Sequence, residues 1–245
     1  MSTKHRKRTA KESSAEIPER HIGWSGSHFR KVAFKDYIGA RVLLNNDLAL
    51  QGVVLASTCI EKYLKAVLAS AGRRTGVHLD RDDFLSVMKA HGVDVTSYIN
   101  ATFIHYLGRA YAFRYIEPTN GPASIGVEKY KLLAELDYCV ARFEASLVVT
   151  NPSGSIEVSL YAAAVNARDE RVWTNNYVLN ALEKTAFVEQ PSPLYGAFAA
   201  PLHEFVELTH PRFKATNDGN FDLPTFTVEG NRIGMSFAPV AGRFE

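Results

Sequence analysis

The chain has 245 residues, 46% of them hydrophobic and 11% aromatic, with 28 Lys and Arg against 26 Asp and Glu for a formal charge of +2. This is ample apolar material for a core, suited to one domain of about 120 to 150 residues plus a smaller one. The near balance excludes a body whose overall field advertises a polyanionic partner. Five of the cations, Lys4, Arg6, Lys7, Arg8 and Lys11, crowd the first eleven residues with no acid among them. Setting those five aside leaves 23 basic against 26 acidic residues.

That basic start lacks the apolar stretch a secretory signal needs after its positive residues, and the segment following it is polar. Residues 1–28 are expected to form a disordered basic tail, either a solvated appendage or a weak, salt-sensitive tether for RNA or DNA. The longest apolar run, Leu48 to Gly72, is interrupted by Glu61, Lys62 and Lys65. Burying each in lipid would cost roughly 3 kcal/mol, so no spanning helix and no membrane partner are expected. Cys59 and Cys139 each sit inside an apolar helical pattern, the usage of small buried thiols in a reducing compartment. The expected location is cytoplasmic, with no zinc finger and no disulfide framework.

The first helical signal runs from about Phe29 to Asn45, with Phe34, Ile38 and Val42 at successive i+4 steps and polar Lys35, Arg41 and Asn45 elsewhere on the wheel. Asn45-Asn46-Asp47 is the natural break. A second helix, Leu48 to Ser70, carries Val53, Ala56, Ile60, Leu64 and Val67 on one face and Glu61 and Lys65 on a wetter one, and Gly72 ends it. A short helix follows His78. A third long helix spans Ser97 to Ile116, closed by the turn residues Glu117 to Pro122. A fourth, from about Gly126 to Val148, repeats Leu133, Leu136, Val140, Phe143 and Leu147 at spacings of three and four, the seam of a helix packed against antiparallel neighbours.

Asn151 to Gly154 reads as a boundary, and beyond it prolines punctuate short elements: helical pieces at 172–184 and 198–208, then a hairpin over Thr225 to Phe237 turning at Glu229 to Asn231. The predicted division is therefore a tail (1–28), a helical bundle (29–150) and a small C-terminal domain of unrecognised type (151–245). The fold class is mainly α, an antiparallel four- to five-helix bundle with a small mixed α/β C-terminal extension.

Over about residues 30 to 148 the order of elements resembles the HEPN superfamily, helical-bundle proteins associated with nucleotides and RNA. The matching residues are Ile60-Glu61-Lys62-Tyr63-Leu64-Lys65-Ala66, then His78, the pair Ala110-Tyr111, and Arg114-Tyr115 before a proline-rich turn. Many members resembling ribonuclease toxins carry an arginine, four to six residues and then a histidine on the third helix, acting together on an RNA phosphodiester. Such metal-independent cleavage needs a group that exchanges protons near neutrality and a fixed cation on the phosphate.

Here the resemblance puts Arg109 at the arginine position, but after four intervening residues Arg114 stands where the histidine would be. An arginine grips phosphate without exchanging a proton, and losing an acid or base costs a factor of about 10² to 10⁴. His105, one helical turn before Arg109, is the candidate substitute. Arg73 and His78 reproduce the spacing literally, but Arg73 follows the Gly72 stop and the pair occupies a connector. Each candidate also has a plain structural role: Arg114 can snorkel and pair with Glu61 or Glu117, His105 can be a partly buried hydrogen-bonded side chain, and Tyr63, Tyr111 and Tyr115 can be core aromatics, Tyr115 alternatively stacking a base.

No phosphate loop, His-Glu-x-x-His or Gly-x-Ser-x-Gly motif is present, and His203, His210, Glu204 and Glu207 make a poor metal set beside Pro211. No cofactor and no metal are expected. The preferred reading is an RNA- or nucleotide-binding protein using Arg109, Arg114, Tyr115 and His78, and the resemblance implies a homodimer. The alternatives are a metal-independent endoribonuclease, a toxin or defence effector with an antitoxin or effector partner, using Arg109 with His105, and a non-catalytic interaction scaffold.

Overall fold

A computed structural model describes residues 19–73, 76, 78–79, 84–114, 123–147, 153, 155–199, 205–221, 225–229 and 232–236. The described chain is mainly helical, with a small antiparallel sheet. It opens on two long helices, α1 (Glu19–Asn45) and α2 (Ala49–Ser70), joined by a reversal at Asp47, whose φ of 59° is left-handed. The helix begins ten residues ahead of the predicted Phe29, inside the segment expected to be tail. Residues 1–18, including the five clustered cations, lie outside the described residues.

Paired contacts show the two helices running antiparallel: Gly26 lies against Ala66 and Ala69, Gly39 against Leu55, and Gly52 against Leu44. A Cβ on Gly52 would lie 2.6 Å from Leu44 Cγ and 3.2 Å from its backbone nitrogen, so a side chain there would push the helices apart. Thr58 donates to Asp36 Oδ2 at 3.0 Å, and Lys62 pairs with the same carboxylate.

Three further helices follow. They are α3 (Phe84–Ala90), α4 (Ala101–Ala110) and, after an intervening strand, α5 (Lys129–Ser146). Asn100 caps α4 by accepting from the Thr102 N–H at 3.0 Å, and a single 3-10 turn, Tyr111–Arg114, continues beyond Ala110. Of the predicted helix over 97–116, residues 101–110 are α-helix and 111–114 the tighter turn, while 97–100 precede the helix and 115–116 lie outside the described residues. Leu133, Leu136, Val140, Phe143 and Leu147 all face the core, as their spacing predicted. Beyond α5 come α6 (Leu160–Asn166), α7 (Glu170–Trp173) and α8 (Lys184–Val188).

A strand precedes α5, unforeseen in the sequence. β1 (Ala123–Glu128) pairs antiparallel with β2 (Ser192–Ala199), and β2 with β3 (Val206–Phe213), in the order β1-β2-β3. The register matches Gly126 with Gly196 and shifts between Ser192 and Leu194, which puts Pro193 and Pro211 at the irregularity, where ladder hydrogen bonds are dispensable. The predicted helix at 198–208 is corrected by this sheet: 198–199 and 206–208 are strand, because Tyr195, Ala197 and Ala199 alternate with Gly196 and Phe198 across a pleat rather than winding a helix. At 172–184 the expected helix is likewise replaced by the end of α7 and a series of turns leading into α8. The C-terminal hairpin forms as β4 (Thr225–Glu229) against β5 (Arg232–Ser236).

The line drawn at 150 does not separate two cores. Val172, Tyr177, Phe187, Val188, Ala197 and Ala215 join one cluster with the apolar faces of α1, α2, α4 and α5. A buried polar group fastens the same join. Arg41, placed on the wet side of α1 by its periodicity, is 0% exposed. It pairs with Asp137 of α5, donates from Nε to the carbonyl of Arg171 at 3.0 Å, and donates from Nη2 to the carbonyl of Thr174. Tyr37 donates to the same Asp137 oxygen at 2.9 Å, and Asn176 Nδ2 donates to the Tyr37 hydroxyl at 3.2 Å. Burial pushes the Asp137 carboxyl up from its ordinary range, against the opposing pull of Arg41. The cysteines Cys59 and Cys139 are buried free thiols, raised chiefly by burial. No helix among the described residues is long and apolar enough to cross a membrane.

Candidate nucleic-acid interface

Helix α2 and the 3-10 turn after α4 are in contact. Leu107, Gly108 and Ala110 are buried against the core, and Tyr106 donates to the Gly126 carbonyl of β1 at 2.8 Å. This anchoring sets where the turn emerges. Phe113 packs edge-on against Phe205 at 6.4 Å, leaving Tyr111 half-buried and Arg114 exposed.

Arg114 does not pair with Glu61. Its guanidinium carbon lies 4.7 Å from the centre of the Tyr111 ring, a cation–π contact at an exposed site. On the same ring, His78 stacks with centres 6.0 Å apart and planes inclined by 30°. Arg114, Tyr111 and His78 are therefore gathered around one aromatic ring, although 33 residues separate Tyr111 from His78 in the sequence.

Glu61, which the sequence placed on the wetter side of α2, is 8% exposed and holds this cluster from beneath. Its Oε1 accepts from Lys65 Nζ at 2.7 Å and lies 2.9 Å from His78 Nδ1, while Oε2 accepts the backbone N–H of Leu79 at 3.1 Å. Burial alone would raise the carboxyl, but the Lys65 and Leu79 hydrogen bonds, the charge of Lys65 and the His78 contact hold it below its ordinary value. The anion is thus committed within the protein. The only hint of this in the sequence was the i, i+4 spacing of Glu61 and Lys65; the return of the chain at His78 and Leu79 carried no local signal.

Arg109 and His105 occupy successive turns of α4, and both are exposed. Among the described residues neither makes an ion pair, and His105 is not the half-buried histidine of its structural reading. Among the described residues no side-chain hydrogen bond, ion pair or ring contact joins these two to the Arg114 cluster, although the Tyr111 backbone N–H reaches the Arg109 carbonyl. Tyr115 lies outside the described residues, as do His203 and Glu204 of the weak metal set. His210 and Glu207 stand exposed on β3, where Glu207 accepts from Tyr195. Among the described residues no three His, Cys, Asp or Glu side chains converge as metal ligands do.

A separate groove of about 530 Å³ runs between α5 and the segment entering α6, lined by Leu147, Ile156, Val158, Tyr161 and Val165 with Arg30 and Glu144 at one end. Its charges are spent internally. Arg30 bonds Glu144 at 2.7 Å, Tyr63 donates to the same carboxylate at 2.7 Å, and Lys31 pairs with Glu157 at 2.7 Å. It offers a polyanion no uncommitted cation, whereas the exposed guanidinium of Arg114 makes no ion pair among the described residues, Glu117 lying outside them.

No family model matches the chain, and neither does a curated protein or a solved structure.

Proposed function

We propose that the chain is an HEPN-like RNA- or nucleotide-binding protein, with Arg114, Tyr111 and His78 as its ligand platform and Arg109 as a neighbouring phosphate contact. One observation carries this reading: the exposed Arg114 guanidinium rests 4.7 Å from the Tyr111 ring, with His78 stacked on the same ring. A guanidinium oriented by an aromatic ring keeps its donors for phosphate, and planar groups at a surface suit the stacking of bases. The sequence reading adds Tyr115, which lies outside the described residues, as a candidate for stacking a base, and the family resemblance adds a homodimer.

Fluorescence anisotropy with a labelled single-stranded oligoribonucleotide across a salt series tests it. Binding should weaken with salt, and Arg114→Ala and Arg109→Ala should each lower affinity and flatten the slope by about 0.7. Affinity unchanged in both variants would overturn the assignment.

Endoribonuclease activity is the second reading, favoured by the i, i+4 placement of His105 and Arg109 on one exposed stretch of α4. In that case metal-free RNA is cleaved, and cleavage disappears in both Arg109→Ala and His105→Ala. Salt-dependent binding without cleavage rejects it.

A further inference from the structure

His78 is tied at one edge and open at the other. Its Nδ1 lies 2.9 Å from Glu61 Oε1, and Glu61 already accepts from Lys65 and from the Leu79 N–H. A carboxylate so placed has no proton to give. In the neutral imidazole the hydrogen must therefore sit on Nδ1, which leaves Nε2 as a bare acceptor. The side chain is 54% exposed while its partner carboxylate is only 10% exposed, so the edge that carries Nε2 is the one turned from the protein. Lys65, Tyr111 and Arg114 are the other polar groups around it; each can donate, and among the described residues none is hydrogen-bonded to Nε2. The cluster thus presents a ligand with a cation and, across the same tyrosine ring, an acceptor that no protein group occupies among the described residues.

We infer that His78, positioned by Glu61, is the residue that distinguishes ribose from deoxyribose, its Nε2 accepting a hydrogen bond from the sugar 2′-hydroxyl. The inference rests on the binding assignment above. A deoxyribose sugar offers no donor at that carbon and leaves Nε2 to water, so the two sugars differ by one hydrogen bond. Glu61 touches no ligand and acts through the tautomer of His78.

Two measurements test this on the full chain. Nitrogen-15 NMR of the free protein at about pH 8, where an ordinary imidazole is neutral, should find His78 protonated on Nδ1 and bare on Nε2. A proton on Nε2 would overturn the inference without reference to any ligand. Anisotropy titrations then compare oligouridine with oligodeoxyuridine of equal length, which differ only at the 2′ position. The wild type should favour the ribose form by about three- to tenfold. His78→Ala should erase that preference, lowering affinity for the ribose form by about three- to tenfold more than for the deoxyribose form, while Arg114→Ala weakens both ligands in proportion. Glu61→Gln, whose amide can donate to Nδ1 and reverse the tautomer, should lose the preference together with the Nδ1–H signal. Equal affinity for the two oligonucleotides in the wild type overturns the role of His78 and leaves the binding assignment standing. No affinity for either overturns both.

Discussion

Arg41 lies wholly inside the protein with its guanidinium shared among Asp137 and the carbonyls of Arg171 and Thr174, whereas Arg114 lies at the surface against the ring of Tyr111. In the first case all three guanidinium nitrogens donate, to a carboxylate and two backbone oxygens of the same chain, joining α1, α5 and the end of α7 with the residue after it. In the second the planar group is oriented by a ring that accepts no proton and takes none of its donors in a strong hydrogen bond. A buried arginine thus reports on assembly, and an exposed, oriented one reports on capacity for an external anion. Two side chains of one type are separated by what the rest of the chain has already given them.

The sharpest way to break this comparison is to remove one partner from the interior. Asp137→Ala leaves Arg41 enclosed and uncompensated and should cost about 3–5 kcal/mol in urea denaturation. A loss below about 1 kcal/mol would mean that Arg41 is as solvated as a surface residue. Replacing both partners, Arg41→Met with Asp137→Leu, should recover much of that loss, because an apolar pair of similar volume avoids the desolvation of two charges. If the double variant is as unstable as the single one, the carbonyl contacts of Arg41 outweigh its ion pair.

Acid sharpens it from another side. Burial raises the Asp218 carboxyl, but the hydrogen bonds from Lys131 and the Asn220 N–H and the charge of Lys131 overcome that and hold it at about 2, and Glu61 is also held low. Both groups take up protons more readily in the unfolded chain, so their contribution is present above the ordinary carboxylate range and is lost as pH falls from about 4 toward 2. Chemical denaturation at stepped pH should show stability declining through that window, and Asp218→Asn should make the decline shallower. The smallest effect belongs to Arg114→Ala, which should shift stability by no more than about 0.5 kcal/mol while weakening oligonucleotide binding. A large drop in melting temperature would identify Arg114 as a structural residue like Arg41.

Periodicity revealed α2 and α5 well, because Val53, Ala56, Ile60, Leu64 and the Leu133-to-Leu147 seam are apolar residues whose destination follows from hydrophobicity alone. It misplaced Arg41 and Glu61 for one reason: a charged residue is read as wet unless its partner is known, and Asp137, His78 and Leu79 lie 17 or more positions away. β1 was hidden since Ala123 to Glu128 is short and runs directly into the helix, with no turn between Glu128 and Lys129. The run at 192–199 carries Gly196 beside small and aromatic residues, which suits a strand pressed between two others, a setting local propensity does not encode. Of the candidate site, His78 and Arg114 were named from the sequence, but their meeting at Tyr111 needed the folded connector.

The middle strand of the sheet has a consequence for biosynthesis. β2, which supplies the partner for β1, is made about sixty residues later, roughly three to twelve seconds at ordinary elongation rates. During that interval the nascent chain carries β1 as an uncovered edge beside a completed helical pair. Release of a stalled or truncated product ending before Ser192 would free a species with an open template for intermolecular pairing.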